Sequence, residues 1–248
     1  NWDVFVMPIS GGSAVQITSE ASHELHPSWS PDGSELVFCR LGAGSGRWEL
    51  WTTKAESNSI ASFIGYGMFP QWCPTSGTGA EGADRILFQM GRERGSRTFG
   101  IWTLDYKDGQ TGNLTEIASS VDTALINPSW NPGGDRIVYA SIPADQSLSW
   151  NTRPTTSDLW MINVDGSGKV RLTSGRSSAL MPTWSSDNRL FFVSDRSGAE
   201  NVWSLDMAKP VLAASGASPL APKTAHAKGT ETHQDAHGTE NGEVAGVT

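Results

Sequence analysis

Two cysteines, Cys39 and Cys73, are all that the 248 residues contain. They stand outside any CxxC or Cys/His ligand spacing, so neither a zinc site nor an attached haem is indicated. Each falls in or beside an apolar strand pattern, which reads as a buried thiol acting as a small hydrophobe, with a disulfide left open. Long hydrophobic runs are also lacking: nothing approaches the roughly 18 consecutive apolar residues of a membrane-spanning helix. Positive charge is scarce, 18 Lys and Arg against 26 Asp and Glu for a net charge of -8. That excludes a phosphate-tracking surface, because nucleic-acid affinity rests on clustered cations, and nucleic acid is not an expected partner. The chain starts at Asn1 without a charged-then-apolar leader, so any export signal is expected to have been removed or to lie outside this sequence.

Catalytic signatures are missing as well. There is no G-x-S-x-G elbow, no HExxH and no kinase or Walker set, and Gly166-Ser167-Gly168-Lys169 lacks P-loop spacing and falls in a hairpin. His23 and His26 are too weakly spaced to define a metal or acid–base site without a third ligand. No cofactor and no metal are expected.

What the chain does have is tryptophan, eleven of them, in a repeating register. A Pro-x-Trp element occurs four times, at Pro27-Ser28-Trp29, Pro70-Gln71-Trp72, Pro128-Ser129-Trp130 and Pro182-Thr183-Trp184. A turn follows and then a short apolar strand, as in Ser30-Pro31-Asp32-Gly33 before Leu36-Val37-Phe38 and Asn131-Pro132-Gly133-Gly134 before Ile137-Val138-Tyr139. Proline pre-sets φ, Asp bonds its own backbone and Gly takes the left-handed position, so these are strand-ending hairpins. A second tryptophan closes a third strand in every copy: Trp51, Trp102, Trp160 and Trp203. The first tryptophans stand 43, 58 and 54 residues apart, close to the length of one four-stranded propeller blade with insertions. All eight are expected in the core, filling the wedges between blades.

PSWSPDGSELVF, PSWNPGGDRIVYAS and SDRSGAENVWSLD resemble the repeats of TolB-type propellers, within the wider family of WD-like β-propeller repeats. The expected fold is therefore all-β, a propeller of four-stranded antiparallel blades over residues 1–207. The expected organisation is the end of a blade at 1–18, complete blades at 23–62, 66–117 and 124–173, and a partial blade at 178–207. Three complete and two partial units fit either a ring closed by the N-terminal strands or an incomplete ring, and the six blades usual in the resembled family favour the latter. Residues 208–248 are Ala, Gly, Ser, Thr, Pro, Lys and His with almost no large apolar side chain, which is expected to be a disordered tail. His226, His233 and His237 within it are too loosely placed to define a metal site.

First strands of propeller blades line the central channel, so the residues before each Pro-x-Trp, His26, Phe69, Asn127 and Met181, are candidates for a binding surface at the channel mouth; the alternative is that they plug it. Insertions at 75–83 and 144–157 stand outside the repeat. Trp150 and Arg153 in the second are candidate loop contacts, since Trp and Arg dominate interface hot spots. Arg40, Arg92 and Arg196 follow second strands, where a structural role outweighs ligand binding. The resemblance implies a non-catalytic scaffold that binds a protein or peptide, in the periplasm or secreted. Alternatives are an accessory propeller of a larger hydrolase or peptidase and a propeller that binds a small ligand or sugar.

Overall fold

Alternation of apolar residues at period two, broken by turns, produces sheets stacked face to face. The computed structural model describes residues 1–91, 98–143 and 154–207. A two-stranded hairpin comes first, β1 (Phe5–Val6) with β2 (Val15–Gln16). Blade 1 is β3 (Glu24–Trp29), β4 (Glu35–Leu41), β5 (Trp48–Lys54) and β6 (Ser62–Tyr66). Blade 2 is β7 (Met68–Trp72), β8 (Asp84–Gly91), β9 (Phe99–Lys107) and β10 (Gln110–Ala118). Blade 3 is β11 (Thr123–Trp130), β12 (Arg136–Pro143), β13 (Asp158–Asn163) and β14 (Val170–Arg171). Blade 4 has three strands, β15 (Ala179–Trp184), β16 (Arg189–Ser194) and β17 (Asn201–Asp206). All pairing is between sequence neighbours and antiparallel, and one 3₁₀ turn at Ala80–Gly82 is the only helix among the described residues. No described helix is long and apolar enough to cross a membrane.

First strands touch in succession, β3 against β7, β7 against β11 and β11 against β15, and form the inner wall. Second strands then divide their side chains between two crevices, because successive Cβ atoms point to opposite faces. On β4, Leu36 and Phe38 pack against Val4 and Ile17 of the hairpin segment, while Val37 packs toward blade 2. On β8, Ile86 and Phe88 face blade 1 and Leu87 faces blade 3. On β12, Ile137 and Tyr139 face blade 2 and Val138 faces blade 4. Each crevice is thus a separate hydrophobic core, and each fully buried Leu, Val or Phe contributes about 1.5–3 kcal/mol.

Among the described residues, the far face of blade 4 has no sheet against it. Val37, Leu87 and Val138 are fully buried, yet the equivalent Phe191 is 37% exposed; Leu50, Ile101 and Leu159 are fully buried, yet Val202 is 68% exposed. At the other end the expectation of eight core tryptophans needs correction. Trp72 and Trp130 are buried, but Trp29 is 47% exposed. Trp29 lies on the Leu36 face of its sheet, and the two-stranded hairpin offers that face no inner strand to cover it.

The turns behave as their residues dictate. Gly33 N–H donates to the Ser30 carbonyl at 2.9 Å, and Asp32 accepts from the Ser30 and Ser34 hydroxyls and the Ser34 N–H. The Ser30 and Ser34 bonds hold the Asp32 carboxyl at about 2. The insertion at 75–83 is fastened to its own blade: Ala80 N–H donates to Asp105 and Gly77 N–H to Asp84. Both cysteines are free and buried, which closes the disulfide alternative. Of the insertion at 144–157, residues 144–153 with Trp150 and Arg153 lie outside the described residues, as do Arg92 and the segment 208–248 expected to be disordered.

Candidate functional site at the channel mouth

Proline creates the site. It offers no N–H to the ladder and drives the preceding residue away from the right-handed helical region. In each first strand the register breaks there: pairing passes from Leu25–Cys39 to Ser28–Val37, and shifts likewise in β7, β11 and β15. The residue before each proline adopts a left-handed backbone, with φ of 55° at His26, 53° at Phe69, 50° at Asn127 and 52° at Met181. Non-glycine residues in this region are uncommon and cost of order 1–3 kcal/mol each. The same kink in all four blades belongs to the repeat itself; what changes from blade to blade is the side chain.

The four kinks meet. His26, Phe69, Asn127 and Met181 line one basin of about 410 Å³, together with the prolines that follow them and Ser28, Gln71 and Thr183. His26 and Phe69 stack with ring centroids 3.8 Å apart. Asn127 N–H donates to Gln89 Oε1 at 2.7 Å, tying the kink of blade 3 to blade 2. Met181 is half-exposed and brings a flexible, polarizable thioether to the rim. The residues inside Pro-x-Trp, which sequence reasoning passed over, join neighbouring blades. Ser28 Oγ accepts the Trp72 N–H at 3.0 Å, and Gln71 Oε1 accepts the Trp130 N–H at 3.2 Å. A polar side chain between proline and tryptophan was the available signal.

Chemically the basin is neutral. Among the described residues His26 is its one titratable lining group, and desolvation lowers its pKa from the ordinary value of 6.5, which favours the uncharged imidazole. Among the described residues no carboxylate lines the basin, and Ser28, the hydroxyl nearest in sequence to His26, is already held by Trp72. Neither a nucleophile–base pair nor an acid–base pair is assembled there. His23 goes elsewhere, edge-on to Trp2 with centroids 6.1 Å apart.

The arginines after second strands are structural where they can be seen. Arg40 Nε lies 3.0 Å from Glu24 Oε1, and its guanidinium sits 4.4 Å from the Trp51 ring centroid. Arg196 lies over Phe192 and Trp203 and donates to Ser194 Oγ at 3.1 Å.

No protein-family model matches the chain. Among curated proteins, the Tol-Pal system protein TolB of Anaeromyxobacter dehalogenans (strain 2CP-C) is 26% identical over 183 residues, covering 74% of this chain and 26% of the relative. An uncharacterized protein of Agrobacterium fabrum is 22% identical over 143 residues, 56% of this chain and 46% of the relative. Among solved structures, TolB from Acinetobacter baumannii aligns with a TM-score of 0.59 at 18% identity, over 83% of this chain and 46% of that one. A manganese complex of oligogalacturonate lyase aligns with a TM-score of 0.55 at 12% identity, over 84% of this chain and 57% of that one. The chain therefore spans about a quarter of the curated TolB relative and about half of these two structures. With its Pro-x-Trp register and its blade topology, the chain has a β-propeller fold, and its repeats are similar to those of the TolB proteins.

Proposed function

We propose that the chain is a non-catalytic propeller scaffold that binds a protein or peptide at the channel mouth, in the periplasm or secreted from a bacterium. The observation that carries this reading is the convergence of four kinked residues of different chemistry, His26, Phe69, Asn127 and Met181, on one neutral basin. An uncharged imidazole stacked on phenylalanine, an amide and a thioether together suit an apolar side chain flanked by peptide groups. The curated relative from Anaeromyxobacter dehalogenans carries the name of a Tol-Pal system protein, which supports a protein partner and an envelope location.

Replacing His26, Phe69 and Met181 together by alanine tests it. The wild-type chain is expected to retain a specific envelope protein in affinity capture, and the triple variant to lose it while its unfolding midpoint stays within a few degrees. Unchanged capture would remove the basin from the account, and hydrolysis of peptides or esters by purified protein would remove the non-catalytic reading.

A further inference from the structure

The fold treats its six methionines unequally. Met161 is 4% exposed in the crevice between blades 3 and 4, and Met68, Met90 and Met207 are half-buried. Met7 and Met181 are open to solvent, at 58% and 51%. Of these two, Met181 lines the channel-mouth basin. The kink puts it there. β15 breaks register between Leu180 and Thr183, and Met181 takes φ of 52° while Leu180 and Pro182 on either side stay buried.

Susceptibility of sulfur to oxidants follows exposure and, for cysteine, thiolate character. Both thiols are withdrawn on each count. Cys39 and Cys73 are free and fully buried, and burial raises both pKa values, so little thiolate forms near neutral pH. The sulfur that the protein presents at its binding surface is therefore the thioether of Met181.

We propose, on the binding reading given above, that Met181 is a redox-modification site at which oxidation of the thioether to the sulfoxide by a peroxide makes the basin release its partner. The sulfur donates an electron pair to one peroxide oxygen, and the S–O bond forms as the O–O bond breaks. The other oxygen leaves as hydroxide and takes up the proton shed by the transferred OH, so hydrogen peroxide is reduced to water while the sulfur loses two electrons. A flexible apolar group becomes a polar, chiral one. Its new oxygen has to be desolvated whenever an apolar group enters the basin, which opposes binding. Methionine sulfoxide reductases reverse the change, and the envelope compartment proposed above is an oxidising one.

The whole chain is treated with hydrogen peroxide at neutral pH for graded times and mapped by peptide mass spectrometry. Met7 and Met181 should become sulfoxides together, with Met161 well behind. The same samples are used for affinity capture from a detergent-solubilised bacterial envelope extract. Capture of the protein retained by the untreated chain should fall about tenfold in step with oxidation of Met181, and should return after treatment with methionine sulfoxide reductase and dithiothreitol. The unfolding midpoint should stay within a few degrees throughout. Met181→Gln, a polar stand-in for the sulfoxide, should capture as poorly as the oxidised chain, and Met7→Leu should capture normally and remain sensitive to peroxide. Failure of the untreated chain to retain any envelope protein would overturn the binding reading and the redox proposal with it. The redox proposal alone would be overturned by undiminished capture with Met181 oxidised, full capture by Met181→Gln, or peroxide resistance in Met7→Leu. Oxidation of Met181 no faster than that of Met161, or a loss of capture that follows unfolding, would overturn it equally.

Discussion

Gly134 and Gly33 occupy the same place in the same turn, and alanine should cost them very different amounts. Gly33 has φ of 73° and Gly134 of 70°, and each donates to the carbonyl three residues back, at 2.9 and 3.0 Å. Placing a Cβ in this left-handed conformation costs about 1–2 kcal/mol at either site. At Gly33 the added carbon meets nothing within 4 Å, whereas at Gly134 it would stand 2.6 Å from Cys73 Sγ and 3.4 Å from Thr75 Cβ. Ordinary contact is about 3.5–4 Å, so Cys73 or the turn must move by roughly 1 Å, and such overpacking costs a further 1–3 kcal/mol or so. Urea unfolding should place Gly33→Ala about 1–2 kcal/mol below wild type and Gly134→Ala about 2–5 kcal/mol below. The pair Cys73→Ala with Gly134→Ala should lose less than its single variants together, because removing Sγ vacates the space. Equal losses at the two glycines, or strict additivity with Cys73→Ala, would refute the claim that the turn of blade 3 is packed on blade 2.

The other predictions concern burial and charge. Cys39 is fully buried and burial pushes its thiol up to about 11, with Cys73 raised for the same reason. Neither should react with iodoacetamide near neutral pH until the protein is unfolded; stoichiometric labelling of native protein would contradict this. Leu159→Ala, in a closed crevice, should cost about 2–5 kcal/mol, while Val202→Ala at the equivalent, exposed position should stay within about 0.5 kcal/mol. Glu24 has its pKa raised in the fold, mainly by desolvation, against the lowering effects of Ser22 and Arg40. A raised folded pKa means that its contribution is complete below the unfolded value near 4.5 and is lost as pH rises through the folded value. The stability of wild type relative to Glu24→Gln should therefore fall as the pH rises above the unfolded value near 4.5; a rise would reverse the assignment.

The blades were legible because their determinants are local. Pro-x-Trp interrupts a strand by the geometry of proline alone, and the triplets Leu36-Val37-Phe38 and Ile137-Val138-Tyr139 state their two-faced burial by alternation. The positions before each proline could be named for the same reason. What escaped the sequence depends on neighbours distant in the chain. Trp29 carries the same motif as Trp72 but lacks a full sheet beside it, so one is exposed and the other buried. Arg40, Arg196 and Lys169 cover Trp51, Trp203 and Trp160 from within a second strand, from the turn after one and from a hairpin, so the repeat pointed to the two arginines but not to the lysine.

Site-specific photocrosslinking tests the central claim most directly. With benzoylphenylalanine at Met181, on the rim of the basin, and at Gln110, exposed on the outermost strand of blade 2, the envelope protein retained by the wild-type chain should be crosslinked at Met181 and spared at Gln110. Crosslinking at Gln110 with none at Met181 would contradict the account.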